Sequence, residues 1–278
     1  MTVIAMTREM RSLGKDTALG LSQDLGLGVV QHELVGHVAE KMHLRESSVN
    51  RFLEGKAGLL ERWGINEQEL SLYTTEEILD VAAKGNVLIR GWGAAYVLRR
   101  VPHVACIRVC APEKLRVRNL KQRIGIKDEK IALREIHKSD AAHARVMSHL
   151  FHADYRNAVN YDLILNTEHT PVADCIDLIK RLVTKESLRE TDASRRALED
   201  LRISAHVRSA LRANPETSRP NPSFQVEVFP GTGRVVLTGV AYSESFRREA
   251  EKVASSCAGV SGVDNQLIIV DNRHVAML

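Results

Sequence analysis

Aromatic residues make up only 4% of this 278-residue chain, too few for the stacking platforms on which unpaired nucleic acid is bound, so no nucleic-acid partner is expected. Long apolar runs are also missing. None approaches the roughly 18 residues of a membrane span. The first residues carry neither the basic region nor the apolar block of a secretion signal, and the expected location is the cytoplasm. Cysteine is sparse. Cys106, Cys110, Cys175 and Cys257 lack metal-type spacing, and three of them fall in apolar periodic segments, so they are expected to be reduced core residues. His143, His149 and His152 invite a metal reading, but cysteine or carboxylate is absent at supporting spacing and no structural zinc is expected. Charge of one sign is not in great excess: the formal net charge is +4 and the pI about 8.9. That excess is better assigned to arginines facing phosphates than to a general polyanion surface.

What is present is enough apolar material, 44% of residues, for one medium domain and a small one. The chain opens on Val3-Ile4-Ala5-Met6, a continuous apolar run expected of a parallel strand covered on both faces. A polar crook follows, and then Gly14-Lys15-Asp16-Thr17 opens a helix with Ala18, Leu21 and Leu25 on one face and Gly26 at its end. A strand, loop and helix so arranged aim backbone N–H groups and the positive end of the helix dipole at an anion. Gly14 would allow close backbone approach, Lys15 would set a point charge between phosphates, and Thr17 could reach magnesium or a phosphate oxygen. Glycine is scarce here too. The pattern G-x-x-x-x-G-K-[ST] would want glycine at Glu9 and Ser or Thr at Asp16. By itself the stretch is equally a surface turn before a helix.

Downstream, residues 33–83 read as several short helices, one entered through a capping box of Thr74 and Glu77. Strands are expected at Val87–Arg90, Val104–Cys110 and Tyr161–Asn166, with Pro112 and Pro171 positioned to start helices. The alternation predicts an α/β fold with a mainly parallel sheet flanked by helices, whose ligand rim gathers the loop at 8–15, Gly91-Trp92-Gly93 and Pro112. Arg116 to Arg145 is basic and reads either as a solvated helix pair or as a lid over phosphates. The first domain is expected to be 1–184, a charged connector 185–200, and a small α+β domain of αββαβ order 201–278.

In their order, VIAMTRE with SLGK, HELV, KGNVLIRGWGAAYVL, RVCAPEKLRVRNL, KSDAAHAR and NYDLILNT resemble the cytidylate-kinase-like family of P-loop phosphotransferases over residues 3–184. The resemblance implies ATP-dependent phosphoryl transfer to a nucleoside monophosphate, CMP first, with ATP and Mg2+ as cofactors. It implies a phosphate-cradle role for Lys15, lid-side roles for Arg116 and Arg123, and a lid pattern D-x-x-x-x-R at Asp140 and Arg145. The nucleotide-binding candidates are Ser12, Gly14, Lys15, Asp16 and Thr17, with Asn166 and Thr167 near the ATP base. Family loops read like G-S-G-G-R, where this chain has Arg11-Ser12-Leu13-Gly14-Lys15. The family's Gly-Arg after the next strand is Gly91-Trp92. Arg90 precedes it, and alternation along a strand argues against Arg90 as a simple substitute. The acidic residue after the first helix is Gln31, and two lid arginines are Ala141 and His143. Residues from GRVVLTGVAYSESF to VDNQLIIV are similar to a BON domain. That similarity implies a protein partner, a homo-oligomer or peripheral membrane contact. The alternative to an enzyme is a degenerate nucleotide-binding or regulatory protein whose second domain reports to a partner.

Overall fold

The computed structural model describes residues 1–30, 33–53, 57–58, 64–91, 93–218 and 224–270. Gln31, Trp92 and the interruption expected at Asn221-Pro222-Ser223 lie outside the described residues. The chain forms two compact units, Met1–Thr191 and Asp192–Leu278.

The first unit is organised on a five-stranded parallel sheet of order β2-β3-β1-β4-β5. The strands are β1 (Val3–Arg8), β2 (Gly28–Val30), β3 (Val87–Arg90), β4 (Val104–Cys110) and β5 (Leu163–Asn166). β1 is central. Val3 pairs with Val87 on one side and Val104 on the other, and residues 3–6 are at most 1% exposed, as an unbroken apolar run requires. β2 was not expected, since three residues carry no readable periodicity; it is fixed by pairing with β3 and by the Gly28 N–H on the Asn86 carbonyl.

Helices α1 (Gly14–Leu25) and α8 (Val172–Val183) cover one face of the sheet, closing a core of Ile4, Met6, Ala18, Leu21, Leu88, Ile107, Val109, Cys175 and Ile179. Between β2 and β3 run α2 (Glu33–Lys41), α3 (Glu46–Leu53) and α4 (Glu67–Lys84). The capping box expected at Thr74 is corrected here. Asn66 caps α4, accepting from Gln68 and Glu69 N–H at 3.0 and 3.2 Å, and Thr74 is fully buried in mid-helix. A Thr-x-x-Glu spacing recurs freely inside helices, and the stronger cap upstream sets the boundary. The short α5 (Ala94–Leu98) precedes β4, and α6 (Glu113–Ile124) and α7 (Glu129–Phe151) form the basic hairpin between β4 and β5.

The charged stretch 185–200 is divided between the units: a short turn at Glu186–Leu188 ends the first, and α9 (Asp192–Ala213) begins the second. There α9, β6 (Phe224–Val228), β7 (Arg234–Ala241), α10 (Glu244–Ser256) and β8 (Gly262–Ile269) follow in αββαβ order. β7 is central, antiparallel to β6 and parallel to β8, and packs with Val207, Leu211, Phe246, Ala250 and Ala254. Ser243 caps α10, its hydroxyl accepting from the Phe246 N–H at 3.0 Å.

Candidate phosphate-binding site

The loop from Glu9 to Leu13 leaves the carboxyl end of β1 and delivers the chain into α1. Arg11 and Leu13, which replace glycines of the related pattern, hold φ of +64° and +62°. The left-handed conformation that glycine adopts freely is therefore retained by two residues for which it costs roughly 1–2 kcal/mol each. Gly14 is required for a different reason. A Cβ there would lie 2.8 Å from Arg8 Cβ and 3.2 Å from Val109 Cβ.

The strained path persists because its carbonyls are bonded from behind. Ser12 N–H donates to the Glu9 carbonyl at 3.2 Å, and the Ser12 hydroxyl lies 2.9 Å from the carbonyls of both Glu9 and Val109. Arg116 Nε donates to Met10 O at 2.7 Å, Asn119 Nδ2 to Arg11 O at 3.0 Å, and Thr167 Oγ1 to Ser12 O at 3.0 Å. Thr17 donates to Leu13 O through its N–H at 3.0 Å and lies within 3.1 Å of it through its buried hydroxyl. With the carbonyls held, the N–H groups of Leu13, Gly14, Lys15 and Asp16 have no protein acceptor among the described residues. They form a donor cluster at the positive end of a 12-residue helix, the arrangement that receives phosphate. Restoring glycine at Leu13 should relieve strain without moving the loop. Leu13→Gly is expected to raise unfolding stability by about 1 kcal/mol, read by urea denaturation, with nucleotide affinity unchanged; an equal loss of stability would show that the Leu13 side chain holds the loop.

The candidates from the sequence occupy distinct layers of this site. Lys15 is exposed at the first turn of α1 and has no acidic partner among the described residues. Asp16 is half-buried beside it, with one oxygen 3.6 Å from Arg123 Nη1. Arg116 is only 4% exposed and forms a two-pronged pair with Asp140, at 2.9 and 2.6 Å. Burial opposes its charge, but the hydrogen bonds and charge of Asp140, with Glu9, outweigh it and hold the Arg116 pKa above the ordinary value. Arg145 is exposed on α7. Asn166 caps the turn after β5 by accepting from the Glu168 N–H at 3.0 Å, and Thr167 is buried against the loop. Thus Arg116, Asp140, Thr167 and Ser12 hold the cradle, while Lys15, Asp16 and Arg123 line its mouth.

Three participants escaped sequence reasoning. Glu9, counted there only as a missing glycine, binds Arg108 Nη2 at 2.6 Å and the Ala111 N–H at 3.3 Å, pinning the loop to the end of β4. Asn119 is the second, and its only sequence signal is its place one turn past Arg116 on α6. Arg90 is the third, and the expectation against it is corrected here: alternation separates adjacent residues, whereas Arg90 stands two before position 92; it is 9% exposed, and its Nε and Nη1 have no partner among the described residues.

The histidines do not gather. His143 lies edge-on to Tyr155, 4.5 Å between ring centres, and burial with nearby Arg8 pushes its pKa down to about 4. His149 meets Glu67 and His152 closes α7 in a left-handed conformation. The four cysteines are free thiols, and burial with Asp162 pushes Cys106 up to about 12. For nucleotide phosphates the donors fit. For a protein-held Mg2+ they do not: the Thr17 hydroxyl is buried on Leu13 O, both Glu9 oxygens are bonded, and Asp16 faces Arg123.

A parallel sheet with a phosphate loop after its central strand defines a P-loop kinase-type fold. Residues 3–169 match the model of the cytidylate kinase-like family, and the chain belongs to that family. Residues 199–271 match the BON domain. A cytidylate kinase of Pyrobaculum calidifontis is 28% identical over 146 residues, covering 51% of this chain and 78% of that one. One of Pyrobaculum islandicum is 26% identical over 136 residues, covering 46% and 71%. Among solved structures, an uncharacterised protein from Eubacterium ventriosum shares the fold at TM-score 0.52 and 20% identity, covering 66% of this chain and 97% of its own. Family membership makes nucleotide phosphoryl transfer the class of chemistry. Among the described residues, no helix is long and apolar enough to cross a membrane.

Proposed function

We propose that the first unit transfers the γ-phosphoryl group of ATP to a nucleoside monophosphate, with CMP the first candidate. The observation that carries this reading is the loop: Arg11 and Leu13 keep the left-handed conformation and the carbonyls are tied back, so the donor cluster at α1 stays open despite two lost glycines. In this reading the N–H groups of Leu13 to Asp16 hold the donor's phosphate oxygens, and Lys15 neutralises charge that accumulates as the phosphoryl group moves. Arg123, half-exposed at the mouth, releases Asp16 and turns to the phosphates when they bind. Mg2+ would accompany ATP on its own phosphates, neutralising them. The kinases named among the relatives act on cytidylate, and that supports the choice of acceptor.

Lys15→Ala is expected to lower the rate of ADP formation from ATP and CMP about a hundredfold, measured by coupled assay. Equal rates in mutant and wild type would remove Lys15 from the chemistry. A second reading is favoured by the Asp16–Arg123 pair, which competes with a ligand for the arginine: the domain binds nucleotide without efficient transfer and the BON domain engages a partner according to its state. Calorimetry showing tight ADP binding in a protein without turnover would select it. In either reading the second unit is the interaction module, and exposed Phe229, Ile268 and Ile269 give it apolar contact surface.

A further inference from the structure

Among the arginines of the site, three have carboxylate partners: Arg108 with Glu9, Arg116 with Asp140, and Arg123 with Asp16. Arg90 is different. It is the last residue of β3, 9% exposed, and neither Nε nor Nη1 has a hydrogen-bond acceptor among the described residues. A guanidinium left so is expensive to bury, because water has been removed and nothing replaces it. Burial alone accounts for the lowered pKa of Arg90. A charge held this way is explained by a ligand that is present only in the working state.

Its position specifies the ligand. Arg90 is the register partner of Met6 on β1, three residues before the loop begins at Glu9. The Gly91 N–H donates to Met6 O at 2.9 Å, so the strand ends there, at the carboxyl edge that also carries the loop. Strand residues two apart share a face. Leu88, two before Arg90, packs in the core with Ala18 and Leu21 of α1, so the Arg90 side chain lies on the face that α1 covers. At that corner the ligand class is a phosphoryl group, whose oxygens match the guanidinium fork.

We propose that Arg90 is a phosphate ligand of this site, its guanidinium binding a phosphoryl group of the nucleotide directly from the end of β3. The proposal rests on the nucleotide-binding reading above and adds a residue on the other side of β1 from the β4 arginine. Arg90 gives the site fixed positive charge beside a loop whose carboxylates, among the described residues, are already paired: Glu9 with Arg108, Asp140 with Arg116 and Asp16 with Arg123. It also predicts opposite signs for affinity and stability, because a residue retained for a ligand strains the empty fold.

The test is calorimetric titration of ADP and of inorganic pyrophosphate into the full chain, with thermal melting in parallel, for wild type, Arg90→Met, Arg90→Lys and Lys15→Ala. Arg90→Met is expected to weaken both ligands at least tenfold while its ligand-free Tm equals or exceeds that of wild type. Arg90→Lys, which keeps the charge and loses the fork, is expected to fall between them. Unchanged affinity in Arg90→Met, with Lys15→Ala weakened, overturns the Arg90 role and leaves nucleotide binding standing. Pyrophosphate binding that depends on Arg90, without ADP binding by wild type, overturns the nucleotide reading and leaves Arg90 as a phosphate ligand. An Arg90→Met protein that melts lower or fails to fold, with Arg90→Lys binding as wild type, assigns Arg90 to the framework and overturns the proposal. A wild type that binds neither ligand overturns both.

Discussion

Arg116→Met should destabilise the first unit by about 3 kcal/mol, because removing one member of a buried ion pair leaves the other charge without a partner. Asp140 would lose both its hydrogen bonds from Arg116, at 2.9 and 2.6 Å, and Met10 O would lose its donor at 2.7 Å. Glu9 would keep Arg108 as its charged partner and the Ala111 N–H, but lose Arg116 Nη1, which lies 3.5 Å from its second oxygen. The effect is structural and local to the cradle, so nucleotide affinity should fall with it. Urea unfolding monitors the first, and ADP titration the second. Pairing Arg116→Met with Asp140→Leu should recover part of the loss, since neither charge is then buried alone. A midpoint that does not move in the single variant would exclude Arg116 from the framework of the loop.

Gly14→Val is expected to abolish measurable nucleotide binding and to cost about 2 kcal/mol or more, the scale of overpacking a close-fitted site. The new Cβ would meet Arg8 Cβ at 2.8 Å and Val109 Cβ at 3.2 Å, both attached to strands that cannot shift independently of the sheet. The α1 N-terminus would have to lift, and its N–H groups would no longer converge. Gly36→Ala in α2 is the internal control. Nothing lies within 4 Å of the Cβ it would add, and a helical Gly→Ala change there should stabilise by a few tenths to about 1 kcal/mol. Nucleotide binding by Gly14→Val at wild-type affinity would separate the glycine from the ligand site.

Much of the fold is legible in residue order. An apolar run on β1, prolines before α6 and α8, glycine after α1 and the αββαβ spacing of the second unit each have a local physical cause, and the structure carries each of them. Boundaries set by competition are less legible. Thr74 with Glu77 looks like a helix start until Asn66, eight residues upstream, takes the cap, and β2 exists only because β3 offers it an edge.

The sequence by itself determined that this chain carries a strand, a glycine-poor loop and a helix in phosphate-binding order, followed by a small αββαβ unit, because these are questions of periodicity and of which residues can start or stop an element. Whether the loop keeps its path without its glycines is not a local question. Intrinsic preference opposes Arg11 and Leu13 at positive φ, and the decision falls to Arg116, Asn119 and Thr167, more than a hundred residues away, whose hydrogen bonds to loop carbonyls exist only once α6 has packed against the loop and β5 has paired with β4. Tertiary structure likewise separates the arginines: strand and helix positions look alike in sequence, and only packing leaves Arg116 paired in the framework and Arg90 buried without an acceptor among the described residues.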